Sequence, residues 1–166
     1  MECKTSVLPG NKHCLLPAFF RKKYRMSRLE EIIANFQMLE GEFRLELLLD
    51  YAEKLPPLPE KYQSVAEKAA HKVPECQTPV SLWVEVVEGK VQIHADAPRE
   101  SPTVRGFVSL LISAFNGATP QEVLNAPADL LSRSGLAHAI GMMRTRGLSA
   151  ILQRIKAEVR RESASG

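Results

Sequence analysis

The feature that most constrains this chain is a single change of hydrophobic period. Val80, Leu82, Val84 and Val86 alternate with Ser81, Trp83, Glu85 and Val87, the period of two expected of a strand with one core face. Glu88-Gly89-Lys90 reads as a turn, and Val91 and Ile93 continue the alternation on a return strand to about Ala95. An isolated antiparallel hairpin is marginal in water, so this one requires a third strand or packed helices.

The flanking segments have the period of helices. Ser27-Arg28-Leu29-Glu30 is a capping box, and Leu29, Ile32, Ile33 and Phe36 follow at helical spacing, predicting a helix over 28–39. A second helix is expected over 42–55, with Leu45, Leu48, Leu49, Ala52 and Leu55 on one face, stopped by Pro56, Pro57 and Pro59. Residues 61–71 form a charged, alanine-containing stretch compatible with a short helix. Beyond the hairpin, Ser101-Pro102 predicts a cap and first-turn proline for a buried helix carrying Val104, Phe107, Val108, Leu111 and Phe115. Asn116-Gly117 ends it, and Thr119-Pro120-Gln121-Glu122 is a second capping box. After a looser stretch, Arg146-Gly147 leads into a final amphipathic helix through Leu148, Ile151, Leu152, Ile155 and Val159. Helices, hairpin, helices is the order of an α+β domain: a small antiparallel sheet, the hairpin plus a third strand, covered by helices.

The chain has 166 residues, enough for one domain with a substantial core. No apolar run reaches the length of a membrane span. The net charge of +3 is concentrated at one end: Lys4, Lys12, Arg21, Lys22, Lys23 and Arg25 face only Glu2 within residues 1–25. The remainder is slightly acidic, which removes any charge argument for nucleic-acid binding. Residues 1–25 therefore read as a basic leader, disordered or an artefact of start-site choice, with an organelle-targeting peptide as the alternative. Residues 26–161 read as the domain and 162–166 as a flexible tail.

Phosphate-cradling glycine loops, nucleophile elbows and His-Glu-x-x-His helices are all lacking. Of three cysteines, Cys3 and Cys14 lie in the leader, so Cys76 is the only thiol of the domain. An odd, sparse set of cysteines fits a reducing, cytoplasmic setting rather than a disulfide framework. Cys76 has two readings. A lone cysteine is commonly a small buried hydrophobe. Its neighbours Pro74, Glu75, Gln77, Thr78 and Pro79 instead describe a stiff surface loop that presents one side chain. His71, His94 and His138 could partner a thiol in principle, but none stands at a recognisable protease spacing. A thiol without strong activation suits an acceptor that its partner activates better than a self-sufficient hydrolase.

VPECQTPVSLWV, HADAPRESPTVRGFVSLLISAFNGATPQEVL and MRTRGLSAILQRIKAEV, together with LEEIIANFQMLEGEFRLELLLDYAEKLPPLPE, resemble the SufE family of sulfur-acceptor proteins. The resemblance runs from about Met26 to Val159 and implies the SufE/IscU-like α+β fold. It also implies a job: taking sulfane sulfur from a pyridoxal-phosphate cysteine desulfurase (SufS-like) and stimulating that enzyme. The sulfur is carried as a persulfide on Cys76 to an iron–sulfur scaffold complex (SufBCD-like). Such a carrier needs no cofactor or metal of its own, binds neither nucleic acid nor membrane, and works as a monomer or weak homodimer. Arg144 falls at the family's arginine in Arg-x-x-Gly-Leu, where docking to the desulfurase is expected. Gln77 follows the sulfur-carrying cysteine, where a part in loop geometry is implied, and Glu75 stands where many members have glycine; both are set beside Arg144 as partner-binding candidates. The connection from Ala95 to Glu100 is longer than the family's usual turn, so no role transfers to Asp96.

Two alternatives remain open at this stage. One is a metal- or cluster-binding scaffold of the IscU type, although such scaffolds use three cysteines in the domain and this one has Cys76 alone. The other is a non-catalytic regulator that docks on the desulfurase and changes its rate.

Overall fold

The computed structural model describes residues 26–165; the leader, with Cys3 and Cys14, and the last residue lie outside the described residues. The chain begins with α1 (Arg28–Gln37) and α2 (Glu42–Glu53), a 3-10 turn at Glu60–Tyr62 and a short α3 (Val65–Ala70). The hairpin follows as β1 (Ser81–Val87) and β2 (Lys90–Asp96). Then come α4 (Pro102–Phe115), α5 (Pro120–Leu124), α6 (Leu130–Arg133), α7 (Leu136–Ile140) and α8 (Met142–Ser165). Both capping boxes form. Ser27 accepts from the Glu30 N–H while the Glu30 carboxylate accepts from the Ser27 N–H, and Thr119 and Glu122 repeat the exchange. The Ser101 side chain, expected to cap α4, makes no such bond, and Pro102 alone marks the start.

Helices α2 and α4 cross at very short range, and two consecutive residues explain how. A Cβ added to Gly106 would lie 2.2 Å from the Leu48 carbonyl oxygen, so only glycine lets the backbones approach this closely. Arg105 beside it donates from Nε to the Ala52 carbonyl (3.0 Å) and from Nη1 to the Ala97 carbonyl (2.7 Å). It thereby ties the end of α2 to the segment after β2. Phe107, Leu110 and Leu111 of α4 are fully buried in the resulting core with Phe36 and Leu48.

The hairpin is antiparallel, pairing Leu82 with Ala95, Val84 with Ile93 and Val86 with Val91. That face enters the core, with α8 against β1 and α4 against β2. Glu88 and Gly89 both have positive φ (51° and 71°), the geometry of a tight two-residue connection. Asn116, just past α4, uses its side-chain amide as a length of strand: Oδ1 accepts from the Ile93 N–H at 2.7 Å and Nδ2 donates to the Ile93 carbonyl. Val91 in turn bonds to Ala118 and Gly117 through its own N–H and C=O.

The expected third strand does not form among the described residues; the sheet has two strands. In its place residues 71–73 run beside the start of β1. A bridge joins Lys72 to Ser81, the Val73 N–H bonds to the Val80 carbonyl at 2.8 Å, and the Leu82 N–H bonds to the His71 carbonyl at 2.9 Å. Pro74 follows at once and ends the pairing, since it has no N–H to give. The other face of β1 is covered as well. Tyr62 and His71 stack on Trp83, with ring centroids 4.9 Å and 5.2 Å away, leaving Trp83 only 3% exposed. The Tyr62 hydroxyl donates to Glu85, which Lys61 also pairs at 3.0 Å. These two donors hold the Glu85 carboxyl below its ordinary range.

The last helix is longer at both ends than the sequence implies. It starts at Met142, because Gly141 (φ 81°) closes α7 and its carbonyl then accepts from the Thr145 N–H and hydroxyl. It continues to Ser165 instead of giving way to a tail at 162. Glu158 there pairs with Arg154 at 3.0 Å and Arg161 at 2.6 Å, and the Ser163 hydroxyl donates to the Val159 carbonyl.

Two measurements check this account. Gly106→Ala should lower stability by about 3 kcal/mol, overpacking outweighing a gain of about 1 kcal/mol in helix propensity. The urea midpoint should fall with an unchanged slope. For Glu85 the folded-state pKa is depressed, so its contribution is complete above the unfolded value and disappears as pH falls through the folded one. The stability difference between wild type and Glu85→Gln, followed by Trp83 fluorescence in urea, should therefore be largest at neutral pH. It should shrink below about pH 4.

Candidate functional site

The paired segments 71–73 and 80–82 form the stem of a six-residue loop, 74–79, with Cys76 near its tip. Val73 and Val80 at the base of the loop are wholly buried, which anchors both ends in the core. Within the loop the Cys76 N–H turns back to the Val73 carbonyl at 3.3 Å. This bend reverses the direction of the side chains. Pro74, Glu75, Gln77 and Pro79 point to solvent, while Cys76 points inward and is 7% exposed. Each of the two sequence readings of Cys76 holds in part: the loop is at the surface and the sulfur is buried.

Sγ faces the first turns of α8, where the ideal Cβ position of Gly147 lies 4.0 Å away. It borders a cleft of about 470 Å³ between the Cys76 loop, the start of α4 and the start of α8. Val104 and Leu148 form the apolar floor, and Arg144, Arg146, Glu75 and Glu100 bring two charges of each sign to the walls. Met143 stands at the mouth, and with Met142 it is among the most exposed large apolar side chains described. Arg144 and Gln77, which the resemblance singles out, thus line one cleft with Cys76 and Glu75, although they come from segments almost seventy residues apart.

The other candidates fall elsewhere. Among the described residues, the cleft lining includes no histidine. His71 is stacked on Trp83, and its Nδ1 lies 3.0 Å from the Glu67 carbonyl oxygen. His94 sits beside Tyr62 on the same outer face, where burial pushes its pKa down. His138 belongs to α7. Asp96 pairs with Lys68 at 2.8 Å. Among the described residues no three His, Cys, Asp or Glu side chains gather as a metal site. Sequence reasoning gave Gly147 no role beyond its place in the Arg-x-x-Gly-Leu segment. It read as a break in front of a helix, whereas it lies inside the helix that contains Arg144.

Comparison with known proteins shows the family and the fold. The family model described as "SufE: Fe-S metabolism associated domain" matches residues 30–159. An uncharacterized SufE-like protein of Mycobacterium tuberculosis is 40% identical over 133 residues, covering 80% of this chain and 91% of that protein. The sulfur acceptor protein CsdE of Escherichia coli is 29% identical over 129 residues, covering 76% of this chain and 82% of that protein. The solution structure of a hypothetical protein from Thermus thermophilus superposes with a TM-score of 0.73 at 35% identity, over 84% of this chain and 99% of that one. With the helix–hairpin–helix order, the Cys76 loop and the Arg144 cleft all lying inside the matched region, the chain belongs to the SufE family.

Proposed function

We propose that this protein accepts sulfane sulfur from a pyridoxal-phosphate cysteine desulfurase of the SufS type and holds it as a persulfide on Cys76. It then passes the sulfur to an iron–sulfur assembly complex of the SufBCD type. The observation that carries the reading is the setting of Cys76, the one thiol of the matched region, on a stiff loop with its sulfur beside a charged cleft. The sulfur acceptor CsdE, a relative along most of the chain, supports the same role.

The chemistry asks little of the carrier. The Cys76 thiolate attacks the terminal sulfur of the desulfurase persulfide, a new sulfur–sulfur bond forms, and the desulfurase cysteine leaves as thiolate. No net oxidation occurs, and the pyridoxal phosphate stays with the partner. The inward sulfur must turn out to meet an attacking or donating protein, and it returns to shelter afterwards. Removing the product persulfide also frees the desulfurase for another turnover, which is how a carrier stimulates its donor. A reducing cytoplasm keeps the thiol available between cycles. Arg144, Glu75 and Gln77 ring the cleft on its exposed side and are assigned to docking, with Met142 and Met143 adding apolar area beside them.

Intact-mass analysis after incubation with a SufS-type desulfurase and cysteine should show a gain of about 32 Da per sulfur, mapped to Cys76. Cys76→Ser should show none; a variant that still takes sulfur at the wild-type rate would sink the proposal. Desulfurase stimulation surviving in Cys76→Ser would favour a regulator instead. Arg144→Glu should raise the carrier concentration needed for half-maximal transfer by about tenfold, about 1.4 kcal/mol of docking. Alkylation of Cys76 in the free protein should not change.

A further inference from the structure

We infer that Gly147 is the position that makes room for the transferred sulfur: an alanine there would accommodate the Cys76 thiol but exclude the persulfide from its sheltered place. The inference rests on the sulfur-carrier reading for the identity of the adduct and on the geometry of α8 for everything else.

Gly147 lies six residues into α8, a helix of 24 residues, and its backbone is not in the left-handed region. Glycine inside a helix is less favourable than alanine, so its presence requires a cause. The causes that explain other glycines here do not apply. Gly141 sits at a φ of 81°, and Gly106 would put a Cβ 2.2 Å from a carbonyl oxygen. A Cβ on Gly147 would meet one atom outside its own stretch of helix, the Cys76 Sγ, at 4.0 Å. That is an ordinary van der Waals distance. The reduced protein therefore does not need glycine at this position.

A persulfide does. The second sulfur stands about 2.05 Å from Sγ. Around a side chain that is only 7% exposed, the free space borders the cleft, whose wall beside Sγ is Gly147. A methyl group at 147 would occupy part of that space, and an outer sulfur directed toward α8 would come well inside contact distance of it. The persulfide would then have to turn away from α8. Gly147 is thus a positioning residue, which distinguishes the loaded carrier from the empty one by volume alone.

The test loads sulfur chemically, so that it does not depend on any partner enzyme. With sodium tetrasulfide, the Cys76 thiolate attacks a sulfur–sulfur bond, gaining one sulfur as trisulfide departs. Cyanide then removes the outer sulfur as thiocyanate and restores the thiolate. Full-length wild type and Gly147→Ala are loaded and exposed to cyanide. The surviving persulfide is trapped with iodoacetamide and quantified on the Cys76 peptide, which separates it from Cys3 and Cys14. The expected result is cyanide clearance about tenfold faster in Gly147→Ala, with alkylation of the unloaded thiol within about twofold of wild type and no loss in Tm. Equal clearance in the two proteins would overturn the inference. So would faster alkylation of the unloaded thiol by the same factor, since the residue would then govern loop exposure and not room for sulfur. Should a SufS-type desulfurase fail to load wild-type Cys76 while the chemical comparison keeps its tenfold difference, the carrier reading falls and the role of Gly147 stands.

Discussion

Two strands have too little surface to hold themselves together in water, and the arrangement of this protein follows from covering them. On the inner side α4 and α8 supply the core that Leu82, Val84, Val91 and Ile93 enter. On the outer side the chain between α2 and β1 folds back, laying Tyr62 and His71 over Trp83. Covering the outer side brings residues 71–73 alongside β1, and the return from that pairing is the loop that carries Cys76. The Cys76 loop is thus a by-product of the solution to a packing problem. Its two ends are fixed by Val73 and Val80, residues as buried as any in the core.

The same packing sets what surrounds the sulfur. Helix α8 has to lie against β1 to complete the core, and this brings its first turns beneath the loop. Exposed Arg144 and buried Leu148, one turn apart on the same face of that helix, meet Cys76 in one cleft. The motif Pro102-Thr103-Val104-Arg105-Gly106 divides in a similar way. Arg105 and Gly106 serve the contact between α2 and α4, whereas Pro102, Thr103 and Val104 form part of the cleft wall.

How much of this could be read in advance depended on range. Ser27-to-Glu30 and Thr119-to-Glu122 contacts close within one helical turn, and the Val87-to-Lys90 connection is two residues long, so local sequence determines them. The α+β order and the identity of Cys76, Gln77, Glu75 and Arg144 as candidates were legible for the same reason or through family likeness. The burial of Trp83 was not, because its cover comes from Tyr62, twenty-one residues upstream, in a stretch without apolar period. Cys76 was left undecided between a buried and a presented thiol, because its polar neighbours do not reveal the bend at the Val73 carbonyl, where that one side chain is buried. The early start of α8 escaped because Met142 to Arg146 is largely exposed, and a solvent-facing turn has no apolar stripe to reveal it.

The side-chain amide of Asn116 has a consequence of another kind. Together with Gly117 and Ala118 it occupies the outward-facing backbone groups of Val91 and Ile93, while residues 71–73 occupy those at Val80 and Leu82. Each outer edge of the hairpin is therefore engaged along part of its length. Exposed strand edges invite pairing with a foreign strand, both as a means of recognition and as a route to aggregation. A segment arriving at either of these stretches finds the donors and acceptors already taken. Recognition by strand addition is discouraged at these stretches, which shifts contact with other proteins toward the rest of the surface.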